Sequence, residues 1–279
     1  MSMADDIKNL REKTGAGLMD CKKALEESKG DIEAAVTALR KKGLAGLAKR
    51  AGRETKEGRV VVKHDDKDYA MSYVGCETDF VSATEDFKKL ADDVCKYILE
   101  NPGKDYDNDV QIKTMIEAVA PKLGENVSFK GGYNWKPVSK CGVIESYVHT
   151  DNKKAALLEL SCVKEDGSCS KYADKMRVIA RGLAMHTVGM QSMWVEERDI
   201  PADVLKKEEE IYRELALKEG KDAAQIEKMM PGKLKKFAKE SCLLDQGTIK
   251  DNKVTVREYL AQQSKELGFE LKVVRFVRF

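Results

Sequence analysis

The chain has 279 residues, enough for two domains, and combines 42% hydrophobic with 35% charged residues and only 5 prolines, a composition typical of an ordered, helix-rich protein. Its 50 Lys and Arg residues against 48 Asp and Glu residues leave a net charge of +2, and the interspersed charges argue against nucleic acid as a direct partner, because nucleic-acid-binding domains concentrate basic charge. No apolar run approaches the roughly 18 to 20 residues that span a bilayer, and residues 1–10 lack the hydrophobic segment of a secretory signal, so we expect a cytoplasmic protein without a membrane partner.

The first fifty residues predict three short helices. The first ends at the Thr14-Gly15 turn, the second ends at Gly30, and Asp31 caps the third. The second helix carries a helical spacing of apolar residues at Leu18, Cys21, Ala24 and Leu25. The positions of the third helix that should be buried are Ile32, Ala35, Val36 and Leu39. Three short helices bury little apolar surface, so we expect a marginal unit that offers a binding surface. The basic stretch that follows, up to Arg53, predicts a helical linker.

The pattern changes after Gly58. Residues 60–63 and 69–76 predict a β-hairpin around a polar turn at 64–68. Residues 84–99 predict an amphipathic helix, residues 110–123 a second helix and residues 126–130 a strand. The positions of the first helix that should point inward are Phe87, Leu90, Ala91, Val94 and Ile98.

A similar pattern recurs about 85 residues later, which is the signature of an internal repeat. Residues 142–149 and 155–163 predict a second hairpin, and residues 171–185 predict a second helix. We therefore predict an α+β fold built from two related halves, each a hairpin packed on a helix.

The second half contains an additional arm. Residues 199–218 and 222–239 predict two highly charged helices with a narrow apolar stripe, typical of a projecting helical hairpin. Met230-Pro231-Gly232 should interrupt the second of these helices, because proline lacks the N–H that continues a helix. After Gly268 the chain returns to a strand pattern.

The seven cysteines have no CxxC spacing, which favours buried, reduced thiols. The closest pair, Cys162 and Cys169, lacks the further ligands that a zinc site requires, so we expect no metal site. There are only three histidines, and no catalytic or nucleotide-binding motif is present. Gly15-Ala16-Gly17 follows a predicted helix and has Asp20 at the third glycine position, so it does not fit a dinucleotide fingerprint. A binding protein is favoured over an enzyme of small-molecule metabolism, and an adaptor that binds through its N-terminal helices is a third hypothesis.

Three stretches resemble the signatures of the elongation factor Ts family. They are Thr14 to Leu25 followed by Gly30-Asp31-Ile32, Cys76-Glu77-Thr78-Asp79-Phe80-Val81, and Ala184-Met185-His186. They occur in the family's order along the chain. The resemblance implies a three-helix domain similar to ubiquitin-associated (UBA) domains in residues 1–53 and a core of two pseudo-repeated α+β subdomains with antiparallel sheets, 54–140 and 141–279. It also implies an inserted antiparallel helical hairpin at about residues 199–240.

The resemblance also implies a function. Family members are guanine-nucleotide exchange factors for the translational GTPase EF-Tu, in its GDP-bound and nucleotide-free states, and they need no cofactor. They promote GDP release by displacing the Mg²⁺ and switch region. The residues that the resemblance assigns to EF-Tu binding are Thr78, Asp79, Phe80, Val81, Arg11, Leu18, Met19, Lys22, His186 and Ile249. Lys250 departs from the apolar residue of some relatives, and the family leaves open whether this chain forms a homodimer.

Without the resemblance, the same residues have ordinary structural interpretations. Phe80 would be a core residue after a strand, and Asp79 a turn cap. His186 would be a buried, hydrogen-bonded histidine. Because Leu18 and Met19 are adjacent on a helix, we expect one to face the core and the other a partner.

Overall fold

The computed structural model describes residues 3–65, 67–163 and 168–279. The chain divides into two compact units, Met1–Trp135 and Lys136–Phe279. Within the described ranges, we find no helix that is both long enough and apolar enough to cross a membrane.

The first unit begins with three helices, α1 (Met3–Thr14), α2 (Leu18–Glu27) and α3 (Ile32–Arg50), as predicted. Gly15 and Gly30 have φ values of 66° and 84° at the two breaks, a backbone conformation that glycine adopts at little cost. The Asp31 side chain accepts hydrogen bonds from the backbone N–H groups of residues 33 and 34 at the start of α3. The buried residues shared by the three helices are Leu10, Cys21, Ala24, Leu25 and Ala35.

The rest of the first unit is a three-stranded antiparallel sheet covered by helices. Its strands are β1 (Glu57–His64), β2 (Tyr69–Cys76) and β3 (Val127–Trp135), in the order β1-β2-β3. A short helix α4 (Asp79–Ser82) precedes α5 (Glu85–Glu100) and α6 (Val110–Leu123). All five residues predicted to point inward from α5 are buried.

Strand β3 extends beyond the predicted residues 126–130. Gly131 and Gly132 weaken the strand pattern in the sequence, because glycine has a low strand propensity. In the fold, however, a Cβ atom at residue 132 would lie only 2.5 Å from Cδ1 of Ile98. Glycine therefore permits a close approach of α5 to the sheet.

The second unit has the same sheet arrangement. Strands β4 (Val143–Val148), β5 (Ala155–Cys162) and β6 (Leu271–Arg278) pair antiparallel in the order β4-β5-β6, and α7 (Ala173–Gly189) packs on them. Every residue of β5 is buried, including Glu159. Its carboxylate accepts hydrogen bonds from Arg275 Nε at 2.8 Å and from the Val138 N–H at 2.6 Å. The predicted α+β class, with two antiparallel sheets, is confirmed.

The arm consists of α8 (Ala202–Lys218) and α9 (Ala223–Ser241). The prediction that Pro231 interrupts the second helix is wrong, since α9 continues through it. Proline removes one hydrogen bond, to the carbonyl of Glu227, but Met230 before it and Ala238 after it are both buried in apolar clusters. Packing on both sides of the proline therefore keeps the helix continuous.

Neither the four-residue helix α4 nor a later helix, α10 (Val256–Leu267), was predicted from the sequence. Helix α10 begins at Thr255, whose hydroxyl accepts from the Glu258 N–H, while the Glu258 carboxylate accepts from the Thr255 N–H. This reciprocal pair is a capping box, and its Thr-x-x-Glu spacing is visible in the sequence.

The expectation that all cysteines are free thiols is wrong for one pair. Cys162, the last residue of β5, and Cys169, in the 3-10 turn Ser168–Tyr172, form a disulfide with their Cα atoms 6.8 Å apart. The five other cysteines are free of disulfides and buried, as expected of small apolar side chains.

Candidate functional site

The chain forms a sharp exposed tip directly after β2. Thr78 is extended (φ −126°, ψ 155°), and its hydroxyl caps α4 by accepting from the Val81 N–H at 3.4 Å. Val81 packs against the core of the first unit. Phe80, in contrast, is 82% exposed, and Asp79 beside it is exposed too. One turn of helix therefore fixes the backbone through Val81 while it presents the aromatic ring to solvent.

Two carboxylates tie this tip to the loop before β3. The Glu125 carboxylate accepts from the backbone N–H groups of Glu77 and Thr78, each at 3.0 Å, and from the Thr78 hydroxyl at 2.5 Å. In return, the Glu77 carboxylate accepts from the Asn126 N–H at 2.6 Å. We call this arrangement the Glu77–Glu125 clamp. Nothing in the local sequence around residues 78–81 pointed to it.

The clamp also has an electrostatic component. The Asn126 N–H, together with the Arg53 guanidinium 3.3 Å away, holds the pKa of Glu77 below its ordinary value. The Glu77 carboxylate is therefore ionised near neutral pH, the form that accepts these hydrogen bonds best.

The thiol beneath the tip is chemically inert. Cys76 Sγ donates to the Thr78 carbonyl at 3.2 Å, and burial, with a contribution from the nearby Glu125 carboxylate, raises the pKa of the thiol to about 12. A thiol with so high a pKa carries almost no thiolate at neutral pH and is a poor nucleophile. The tip is thus suited to mechanical contact rather than to covalent chemistry.

The N-terminal residues that the sequence singled out all lie on the surface. Arg11 and Lys22 are exposed, and so are Leu18 (54%) and Met19 (71%). The expectation that one of Leu18 and Met19 faces the core is wrong, because the small core covers α2 only from Cys21 onward. Both apolar side chains are therefore available to a partner.

A groove of about 480 Å³ lies beside these residues. Its lining is Ala4, Ile7, Lys8, Arg11, Glu12, Gly15, Ala16, Leu18 and Lys122. A Cβ at Gly15 would stand 2.6 Å from Lys122 Cδ, so the lysine side chain of α6 crosses the break between α1 and α2. Glycine at this position permits both the positive φ and the close approach of Lys122.

In the second unit, His186 is only 3% exposed. Its Nε2 lies 3.0 Å from Gln246 Oε1, while the Gln246 amide nitrogen donates to the carbonyls of Glu240 and Met190. These two bonds orient the amide oxygen toward the imidazole, so Nε2 carries the proton and donates it. Burial lowers the pKa of His186, which keeps the ring neutral near pH 7. The histidine therefore orients Gln246 instead of presenting itself at the surface.

Ile249 is exposed on the loop that follows Gln246. Its Cδ1 lies 3.2 Å from the position that a Cβ of Gly189 would occupy at the end of α7. Met185, one turn before Gly189, is also exposed and lies on the same face of the helix. We call Met185, Gly189 and Ile249 the α7-end surface. Of these three residues, only Ile249 was predicted from the sequence to bind a partner. The methionines at 185, 190 and 193 were a further signal, because adaptable binding surfaces are often rich in methionine.

The candidate residues thus fall into three groups, two on the first unit and one on the second. Comparison with known proteins identifies the family of the chain as a whole. The family model for elongation factor TS matches residues 77–279. The Elongation factor Ts proteins of Clostridium acetobutylicum and Clostridium novyi are 40% and 39% identical to this chain, over 100% of its length and 92% of theirs. That of Clostridium tetani is 39% identical over 100% of this chain and 93% of its own. The chain therefore belongs to the elongation factor Ts family, which acts as a nucleotide exchange factor for EF-Tu in translation elongation and is not a family of enzymes.

Proposed function

We propose that this chain promotes GDP release from EF-Tu in the cytoplasm by pressing Asp79 and Phe80 against the region that holds Mg²⁺ and the switch segments. The observation that carries the proposal is the exposed Phe80 on a backbone held by the Glu77–Glu125 clamp. Because the turn is preorganised, the ring can enter a partner without the cost of ordering the backbone beneath it. Asp79 acts by repelling or capping nearby groups and performs no chemistry.

The energetics require more than this tip. A nucleotide held at nanomolar affinity is bound by roughly 12 kcal/mol. If the factor lowers the affinity of EF-Tu for GDP by a given ratio, GDP lowers the affinity of EF-Tu for the factor by the same ratio. Burial of one phenylalanine contributes only about 1.5 to 3 kcal/mol. A broad docking surface must therefore hold EF-Tu while Phe80 acts.

We assign that docking role to the remaining candidate residues. Residues 1–53, as a UBA-like domain, contribute Arg11, Leu18, Met19 and Lys22. The subdomain 141–279 contributes the α7-end surface, with His186 holding the Gln246 loop in place. In this division, subdomain 54–140 carries the tip formed by Thr78, Asp79, Phe80 and Val81. GDP-bound and nucleotide-free EF-Tu both bind these surfaces, and the nucleotide-free form binds more tightly.

The primary test measures release of a fluorescent GDP analogue from EF-Tu after addition of excess unlabelled GDP. We expect the intact chain to accelerate release at least about 10-fold at substoichiometric concentration, since each factor molecule is recycled after dissociation. No acceleration at any concentration would refute the exchange function.

A matched pair of lysines separates docking from displacement. Lys22 and Lys23 are adjacent and exposed, and each forms an i,i+4 ion pair at 3.8 Å, with Glu26 and Glu27 respectively. Such exposed pairs contribute little to stability, so neither alanine variant should alter the fold. Lys22→Ala should raise the concentration of factor needed for half-maximal exchange without changing the maximal rate, whereas Lys23→Ala should behave as wild type. Equal behaviour of both variants would contradict the assignment of Lys22.

A further inference from the structure

Three cysteines meet at one end of the core of the second unit. Cys141 precedes β4, Cys162 is the last residue of β5, and Cys169 lies in the 3-10 turn that follows. Their three sulfur atoms all lie within 4.8 Å of one another, and all three residues are buried. Cys162 and Cys169 are joined as a disulfide, which leaves Cys141 as a third sulfur beside the pair.

Strand register explains why Cys141 joins the other two. Val143 pairs with Leu160 in the antiparallel β4–β5 ladder. Continuing that register by two residues sets Cys141 opposite Cys162, and residues directly opposite each other have Cβ atoms about 4.5 to 5.5 Å apart. The proximity of these two cysteines is thus a consequence of the hairpin that builds the sheet. Because 20 residues separate them, spacing in the sequence does not reveal it.

We propose that in the reduced chain Cys141, Cys162 and Cys169 form a thiolate site for Zn²⁺. A dithiol reductant transfers two electrons and two protons to the disulfide and becomes a disulfide itself, so that the cluster then holds three thiols. On binding Zn²⁺ the three thiols release their protons, and three sulfur–zinc bonds form. Zn–S bonds of about 2.3 Å hold their sulfurs about 3.8 Å apart in a tetrahedral site. The Cys141 sulfur already lies within 4.8 Å of the other two, and reduction breaks the Cys162–Cys169 bond, so that these two sulfurs can separate to the same distance.

The chemistry of the cluster supports this assignment over a purely structural disulfide. A disulfide uses two of the three sulfurs and leaves Cys141 idle, whereas a thiolate site uses all three. Soft thiolate ligands select ions such as Zn²⁺ over hard cations. Translation elongation takes place in a reducing compartment, where disulfides are rare, so the dithiol form is the one that matters for an elongation factor. Three protein ligands leave the fourth tetrahedral position of the ion for a water molecule.

The test uses the full chain, reduced with a dithiol under anaerobic conditions, desalted and titrated with Zn²⁺ or Co²⁺. We expect one Zn²⁺ per chain to survive desalting. Co²⁺ should give the thiolate charge-transfer absorption and the intense visible bands of a tetrahedral sulfur site. Zn²⁺ should also protect Cys141, Cys162 and Cys169, and no other cysteine, from alkylation, as mapped by mass spectrometry.

Two alanine variants provide a matched comparison. Cys141→Ala should lower Zn²⁺ affinity at least about 100-fold. Loss of a residue that only hydrogen-bonds to a metal ligand costs about 10- to 100-fold in metal affinity, and loss of a ligand itself should cost more. Cys242→Ala removes another buried sulfur of the same unit and should leave the affinity unchanged. If Cys141→Ala fails to fold, the Co²⁺ spectrum and the alkylation map of the unmutated chain decide the question. Substoichiometric zinc with no protection of the three thiols, or a Cys162–Cys169 disulfide that resists the dithiol, would overturn the proposal.

Discussion

Replacing Phe80 by alanine should slow nucleotide exchange without weakening the fold. The side chain is 82% exposed, and a phenylalanine buries roughly 150 Å² or more when it is covered. At about 25 cal/mol per Å², and allowing for the Cβ that alanine retains, the lost contact is worth about 2 to 3 kcal/mol. Each 1.36 kcal/mol corresponds to a tenfold change, so we expect exchange to slow about 30- to 150-fold.

Stopped-flow release of the fluorescent GDP analogue from EF-Tu, over a range of factor concentrations, measures this effect. The thermal unfolding midpoint of Phe80→Ala should stay close to wild type, because substitutions at exposed positions usually change stability by less than about 0.5 kcal/mol. Val110→Ala is the control. Val110 is 76% exposed at the start of α6 in the same unit and has no proposed role, so its exchange rate should match wild type.

Displacement and docking by Phe80 predict different dependences of the exchange rate on factor concentration. If Phe80 acts by displacement, Phe80→Ala should lower the maximal exchange rate at saturating factor. A variant that reaches the wild-type maximal rate at higher concentration would show that Phe80 only docks. A folded variant with wild-type exchange at every concentration would refute the role of Phe80, while the exchange function itself would stand.

Three further predictions concern stability. Glu125→Ala removes the acceptor of two backbone N–H groups and of the Thr78 hydroxyl. Urea unfolding should show that the free energy of unfolding falls by about 1 to 3 kcal/mol. An unchanged urea midpoint would mean that the clamp does not hold the tip. Burial lowers the pKa of His186 in the folded chain, so the unfolded chain binds more protons than the folded chain as pH falls through about 6.5. The free energy of unfolding of wild type should therefore fall more than that of His186→Gln between pH 7.5 and 5.5, by less than about 1.4 kcal/mol per pH unit. Parallel pH profiles of the two proteins would contradict this. Pro231→Ala restores an N–H that can donate to the Glu227 carbonyl within α9, so the free energy of unfolding should rise by about 1 to 3 kcal/mol. Calorimetry measures the thermal unfolding midpoint, which should rise as well. A lower midpoint would show that the proline fits its site better than alanine.

Much of the local structure could be predicted from the sequence. Asp31 caps α3 through N–H groups two and three residues away, and Thr84 caps α5 in the same manner. Interactions between residues so close in the chain can be predicted from local sequence, and so can the hairpins, from the alternation of apolar and polar residues along their strands. Helix α10 belongs with these, since its capping box of Thr255 and Glu258 is a local sequence pattern.

Other features depend on contacts that local patterns do not record. Pro231 normally ends a helix, but burial of Met230 and Ala238 in the arm keeps α9 continuous. The low strand propensity of Gly131 and Gly132 predicts that the strand ends before them, but pairing with β2 extends β3 to Trp135. In both places tertiary packing outweighed a local preference of about 1 to 3 kcal/mol.

The sequence by itself determined most of the helices and strands, the α+β class, and the motif that contains Asp79 and Phe80. Only the tertiary structure decided that Phe80 points into solvent and that a carboxylate 47 residues away, Glu125, holds the tip. It also decided that His186 is buried and that Cys141 meets the Cys162–Cys169 pair. The physical reason is the same in each case. Burial and partner choice depend on which distant segments pack together, and the register of paired strands sets those partners beyond the range of any local pattern.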